Sequence, residues 1–313
     1  MLRLVPIEAD LYLAGKREGT MMLYRSRRVP MEPGALERLE SRGVRELLVC
    51  DEDRRAYLKQ VMQVELSDEG KTAALRFRTL YESRQQDFEE AYRSEENTQI
   101  INFADEFGEE LLDAVCNEHV VMDELFELMK YDDTTYTHCV NVASYALILG
   151  WNLGIRHPGE LRLVARGGLL HDIGKRRIRR SILQKAGPLS VVERDVMQEH
   201  PRLGFLDLAG EQPLSVALMA YQHHERMDGS GYPVGLTREE IHPWARICAV
   251  ADVYHALTSS RPYRQPMSRA DACVFLAGQA GPGLDEEVTR CWISLISNSN
   301  RSRPSFDVAL SAG

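Results

Sequence analysis

The stretch His171-Asp172-Ile173-Gly174-Lys175 decides the reading of this chain. It follows an apolar run in which Leu161, Val164, Ala165, Gly168 and Leu169 recur at i, i+3, i+4, i+7 and i+8. That period marks an amphipathic helix with one face toward a core. The helix delivers a histidine and an aspartate side by side at its end. Neighbouring side chains point in different directions, so one such pair can serve two ions. Lys175 follows one turn later, and Gly174 is expected to permit a sharp exit from the helix.

Further ligand types stand on other predicted helices. His138 lies between about Asp133 and Leu153, on the face of Val142, Tyr145, Ala146 and Leu149. Taken alone, an inward histidine there is more often a core residue than a ligand. Ser190 and Glu193 form a capping box that opens a helix expected to run to His200, where Pro201 intervenes. Pro213 opens another, ending in His223-His224-Glu225. The loop Asp228-Gly229-Ser230-Gly231-Tyr232-Pro233 cannot be helical, with three breakers in six residues. Thr237 to Glu240 is a second capping box. Pro243 to Ser259 is an apolar helix carrying Asp252 and His255 one turn apart, and Ser268 starts a helix to about Ala277.

His138, His171, Asp172, His200, His223, His224 and Asp252 thus form one candidate set. Helices can converge such groups in a bundle core. Burying so many ionisable groups is costly unless each is partnered, which favours a centre for two metals. Imidazole with carboxylate suits Fe, Mn, Zn, Ni or Co, and the lack of thiolate ligands weakens a structural zinc reading. Two ions held close together can activate water and stabilise the oxygens of a phosphodiester displacement. Lys175 could neutralise charge on the phosphoryl group.

Composition agrees with an ordinary globular protein: 313 residues, 44% hydrophobic and 27% charged. A net charge of −9 argues against broad binding to DNA, RNA or anionic lipid, though not against a local basic pocket. No signal peptide is evident, and no apolar run reaches the ~20 residues of a membrane helix. Six cysteines without a CxxC pair read as reduced thiols in a cytoplasmic protein. Residues 1–66 read as a small α+β regulatory domain. Strands are expected at Leu2–Val5 and Val44–Cys50, with further short apolar runs at Leu11–Leu13 and Met21–Tyr24 and a helix at Ala35–Ser41. Residues 67–130 read as a helical connector, for which packing within the chain and a homodimer face are both open. Residues 131–298 form the mainly α metal-binding bundle, and 299–313 a polar tail.

The motifs His171-Asp172-Ile173-Gly174-Lys175, His200-Pro201, His223-His224-Glu225, Asp228-Gly229-Ser230-Gly231-Tyr232-Pro233, Ala251-Asp252 and Arg261-Pro262-Tyr263-Arg264 occur in order. Over roughly residues 130–290 the chain resembles the HD-GYP branch of the HD-domain phosphohydrolases. Residues before about 65 are similar to modules that precede some HD-GYP domains. The resemblance implies an HD-type helical bundle that hydrolyses cyclic di-GMP to pGpG, GMP or both. It implies that His138, His171, Asp172 and Asp252 hold one divalent metal, Fe or Mn foremost. His200, His223 and His224 would hold a second, with Asp172 as bridge. Asp172 and Lys175 would be catalytic, with Lys175 beside the scissile phosphate. Gly231 and Tyr232, in the signature loop with Pro233, would contact the ligand. Arg261 and Arg264 would bind its phosphates, and a GGDEF-type protein could dock through the loop.

Two departures stand out. Some family members place a Glu four residues before the first His and use it for a third metal; here that residue is Thr134, so two metals are expected. The family usually has Asp where His255 stands. His255 reads as a proton donor, an extra ligand, a mark of altered activity, or a hydrogen-bonded histidine at the rim. It keeps open a binding module with little turnover. A hydrolase of another cyclic dinucleotide is also open. Glu225 reads as a hydrogen-bond partner of a ligating histidine or as a surface charge. Arg176, Arg177, Arg179 and Arg180 read as an anion-steering cluster or a solvated face, and His242 as a solvated turn residue.

Overall fold

In the computed structural model, the residues described are 7, 9–15, 20–50, 52–53, 56–57, 60, 73–116, 134–185, 187–260 and 265–298. The expected strand at Leu2–Val5, much of the connector, Arg261, Arg264 and the tail lie outside them. The chain divides into two compact units, Met1–Ser83 and Arg84–Gly313.

In the first unit, β1 (Leu11–Ala14) pairs antiparallel with β2 (Met21–Arg25). Helix α1 (Ala35–Ser41) leads to β3 (Leu48–Val49), which joins the other edge of β1, giving the order β2-β1-β3. Ile7, Ala9 and Leu11 form the core, against Tyr24, Met31, Leu47, Val49 and Tyr57. The strand expected over Val44–Cys50 is only two residues long. Only Leu11 and Tyr12 of β1 pair with it, opposite Val49 and Leu48.

The second unit begins within α2 (Ala73–Arg93). The buried Arg84 bonds to Glu106 and Glu110 of α3 (Asn97–Cys116) and to Asp87, so its charge is fully compensated. Phe88 packs on Phe103 and on Tyr136 of α4 (Thr135–Asn152). Helix α4 is mostly apolar, and Tyr136–Thr137 and Cys139–Gly150 are all buried, as a central helix requires. Thr134 caps it by accepting from Thr137 N–H.

Helix α5 (Pro158–Leu170) lies against α4. At Gly168 a Cβ would sit 2.7 Å from Cα of Ala143, so glycine permits this backbone approach. A 3-10 turn, Ile173–Arg177, continues from α5. Then follow α6 (Arg180–Leu183), α7 (Val191–Met197), α8 (His200–Leu208) and α9 (Leu214–Gln222). Helix α10 (Pro243–Thr258) returns through the core, and α11 (Arg269–Gln279) and α12 (Glu286–Asn298) complete the unit. The mainly helical fold with a small sheet is the one expected from the sequence.

Two local expectations are corrected. His200 does not end the helix opened at Ser190; that helix stops at Met197, and His200 begins α8, with Pro201 in its first turn where a missing N–H costs nothing. Gly174 does not provide a left-handed exit. Its φ is not positive, and its role is steric, because a Cβ there would lie 2.0 Å from the His200 carbonyl oxygen. Helix α12 was not anticipated. It buries Trp292 against Tyr145 and Tyr254. Among the described residues no helix is long and apolar enough to cross a membrane.

Candidate metal centre

Five helical segments deliver the candidate ligands. Helix α4 carries His138, the end of α5 presents His171 and Asp172, and α8 starts at His200. His223 and His224 follow α9, and α10 carries Asp252. All seven converge. Ligand atoms fall into three overlapping groups: Asp172 with His200, His223 and His224; His138 with His171 and Asp172; His171 with His223 and Asp252. Within each group they lie within 4.8 Å of one another.

Asp172 stands between two sets of imidazoles. Its Oδ2 is 3.2 Å from His138 Nε2 and 3.4 Å from His171 Nε2. Its Oδ1 is 3.2 Å from His200 Nε2 and 3.7 Å from His223 Nε2. Asp252 Oδ1 faces the first set, 3.4 Å from His138 Nε2 and 3.9 Å from His171 Nε2. Lys175 donates to Asp172 Oδ2 at 2.5 Å. Burial opposes ionisation of Asp172, but the Lys175 ammonium and the nearby histidines outweigh it and hold the carboxyl well below its usual range.

Hydrogen bonds on the far side of the rings set which nitrogen faces inward. His171 Nδ1 is 2.7 Å from Gly168 O, and His200 Nδ1 is 2.7 Å from Met197 O. His223 Nδ1 lies 3.0 Å from Ala220 O. A carbonyl only accepts, so these nitrogens carry the protons, and a neutral ring then turns the Nε2 lone pair inward. Burial opposes protonation of His171, but the Asp172 carboxylate outweighs it and raises that imidazole's pKa. Burial pushes His223 down to about 4, and it also lowers His138 and, further, His224. At neutral pH these three rings are uncharged. His223 Nε2 then faces His200 Nε2 at 3.4 Å, beside Asp172 Oδ1, a buried oxygen with no hydrogen-bond partner. Imidazole nitrogens converging on a buried carboxylate oxygen are an arrangement that a cation resolves. The residues fit a divalent metal held by imidazole and carboxylate.

The loop after His224 is tied to the centre by Glu225. This carboxylate is buried, 1% exposed. It accepts the backbone N–H groups of Val234, Gly235 and Leu236 at 2.8 to 3.0 Å. The surface-charge reading of Glu225 is corrected by its burial, and among the described residues its carboxylate accepts from backbone amides of the loop instead of from an imidazole. Gly231 is required by a close approach, since a Cβ would lie 2.4 Å from Glu225 Cα. Tyr232 stacks on the His224 ring, with centroids 4.7 Å apart. Glu225→Ala is expected to strand those amides and cost on the order of 3 kcal/mol. Glu225→Gln should recover part of that loss, as read by urea unfolding; wild-type stability for the Ala variant would refute the anchor.

Two other expectations change. Arg176 bonds to Asn97 Oδ1 and the Ser94 carbonyl, so it ties the 3-10 turn to the α2–α3 region; it is neither a free anion contact nor a solvated charge. His242 is half-buried and caps α10 by accepting from Trp244 N–H, so it is not simply solvated. His255, buried on α10, places its Nδ1 2.9 Å from Nδ1 of His138.

Fold and centre together define a helical bundle built around a histidine–aspartate core of metal-binding type. The chain belongs to the HD domain family, whose model matches residues 116–288, and its motifs are those of the HD-GYP branch. It is 39% identical over 168 residues to the cyclic di-GMP phosphodiesterase response regulator RpfG of Xanthomonas campestris, covering 52% of this chain and 44% of that protein. It is 34% identical over 195 residues to the cyclic di-GMP phosphodiesterase PA4108 of Pseudomonas aeruginosa, covering 62% and 47%. The matches thus span about half the length of these relatives. An HDG"Y"P protein from Bdellovibrio bacteriovorus, Bd1817, shares the fold, with a TM-score of 0.67, 21% identity and coverage of 94% of this chain and 95% of that one.

Proposed function

We propose that residues 131–298 form a metal-dependent phosphodiesterase domain that hydrolyses cyclic di-GMP to pGpG, GMP or both. The observation that carries this reading is Asp172, whose two oxygens face separate imidazole sets while Lys175 holds one of them. His138, His171, Asp172 and Asp252 would hold one divalent ion, and His200, His223 and His224 the other, with Asp172 shared. When bound, such ions supply Lewis acidity and lower the pKa of water.

The chain's own groups supply charge and position. Burial disfavours the Lys175 ammonium, but Asp172 outweighs it and raises the pKa, so Lys175 stays charged near neutrality. Its side chain is 31% exposed, which leaves it reachable by a phosphoryl oxygen. It therefore acts as a fixed positive charge and not as a base. Hydrolysis joins a water oxygen to phosphorus and breaks the bond to the ribose 3′ oxygen, which takes a proton. Tyr232, stacked on His224, stands beside the centre as the ligand contact that the family resemblance assigns. The family resemblance assigns phosphate binding to Arg261 and Arg264. The exposed Val234 beside the signature loop offers a contact for a GGDEF-type partner. The free cysteines among the described residues suit a cytoplasmic site of action.

The purified chain, loaded anaerobically with Fe or Mn, is expected to release pGpG or GMP from cyclic di-GMP, followed by chromatography with parallel metal analysis. Full occupancy with intact substrate would overturn the reading. A panel of other cyclic dinucleotides measures its substrate range.

A further inference from the structure

We propose that His255 is a positioning residue that selects the tautomer of His138 and so controls whether Nε2 of His138 is available to a metal ion. The inference rests on the metal reading above. His171, His200 and His223 each hand the Nδ1 proton to a backbone carbonyl, an acceptor that cannot change role. His138 is built differently: its Nδ1 meets the Nδ1 of another imidazole at 2.9 Å. A neutral imidazole nitrogen can either donate or accept, so this contact has two arrangements.

In one, His138 Nδ1–H donates to His255, and the His138 Nε2 lone pair faces His171 Nε2 at 3.1 Å, with Asp172 Oδ2 at 3.2 Å and Asp252 Oδ1 at 3.4 Å. That lone pair and the two carboxylate oxygens converge where a cation would sit. In the other, His255 donates, and His138 turns an Nε2–H toward Asp172 Oδ2, closing the same position. A side chain at position 255 that only accepts would permit the first arrangement alone.

The fold holds His255 for this task. It lies one turn after Asp252 on α10, is 4% exposed, and packs its ring on those of His138 and Tyr145. One helix therefore supplies both a candidate ligand and the support of another.

The test compares His255→Leu, which removes the hydrogen bond, with His255→Asp and His255→Asn, which keep an acceptor. Manganese affinity is read by competition with a graded chelator, and folding by circular dichroism. The Leu variant is expected to lose about 10- to 100-fold in affinity, the usual cost of removing a ligand's hydrogen-bond partner. The Asp variant should match or exceed the wild type, and the Asn variant should regain most of the loss. Nitrogen-15 spectra of the zinc-loaded wild type should show His138 protonated at Nδ1, a readout independent of any variant. Wild-type affinity in the Leu variant, an equal loss in all three variants, or a His138 protonated at Nε2 in the loaded protein would each overturn the proposal. A wild-type chain that takes up neither ion would overturn the metal reading and this inference with it.

Discussion

Asp172→Asn is expected to lower cyclic di-GMP turnover by at least about 10³-fold, because the several kcal/mol that a metal centre supplies depend on this one carboxylate. The expectation follows from its two faces. Oδ2 serves the His138–His171 side and Oδ1 the His200–His223 side, so one substitution weakens both groups. Asparagine keeps the volume but removes the charge and makes one end a donor. Its amide N–H groups can satisfy inward Nε2 lone pairs, so the metal-free fold should keep its stability while metal uptake falls at both positions. Lys175 would lose its charged partner, and its pKa would fall, since burial pushes it down and Asp172 is the strongest influence raising it. Asp252→Asn should be milder and fall mainly on the His138–His171 side, because Asp252 lies 3.4 and 3.9 Å from those two rings and only one of its oxygens faces them. Metal per chain, measured beside turnover, separates these outcomes. Full metal retention in Asp172→Asn would remove Asp172 from its proposed place as the bridge.

The ligand set was legible because helical period and residue chemistry are both local. His138 shares a face with apolar residues, and a buried imidazole or carboxylate without a partner is costly, so five histidines and two aspartates on several helices imply convergence. Helix α12 could have been read by the same rule, since Val288, Cys291, Trp292, Leu295 and Ile296 keep the period that identified α5. What the period cannot show is a contact made by the backbone. Glu225 finds its partners nine to eleven residues away, in amides whose direction is fixed by the signature loop's path. His255 finds His138 117 residues away, through a contact that exists only once α4 and α10 have packed. The short β3 is also a tertiary outcome: residues 44–50 have strand composition, but only Leu48 and Val49 pair with β1.

Gly174→Ala is expected to destabilise the protein by about 3 kcal/mol or more, the upper range for overpacking a filled core. On local grounds alone it would be neutral or stabilising, since Gly174 has no positive φ and alanine favours helical backbone. The tertiary contact reverses the sign. An added Cβ would meet His200 O at 2.0 Å, Gly204 N at 2.5 Å and His200 C at 3.0 Å. All three are backbone atoms, so no side-chain rotation can relieve the clash, and the first turn of α8 must move away from the 3-10 turn. His200 is the first residue of that helix, so the same shift carries its Nε2 away from Asp172 Oδ1, now 3.2 Å distant. A centre assembled from separate helices depends on how closely their backbones meet, and this glycine sets one of those distances. The variant should therefore lose metal first from the His200–His223–His224 group, while the His138–His171 group, held by α4 and α5, retains more. Gly187→Ala is the control, because a Cβ there meets nothing within 4 Å. Urea unfolding with metal analysis reads both effects, and a Gly174→Ala protein with wild-type stability and metal content would show that α8 is free to retreat without disturbing the centre.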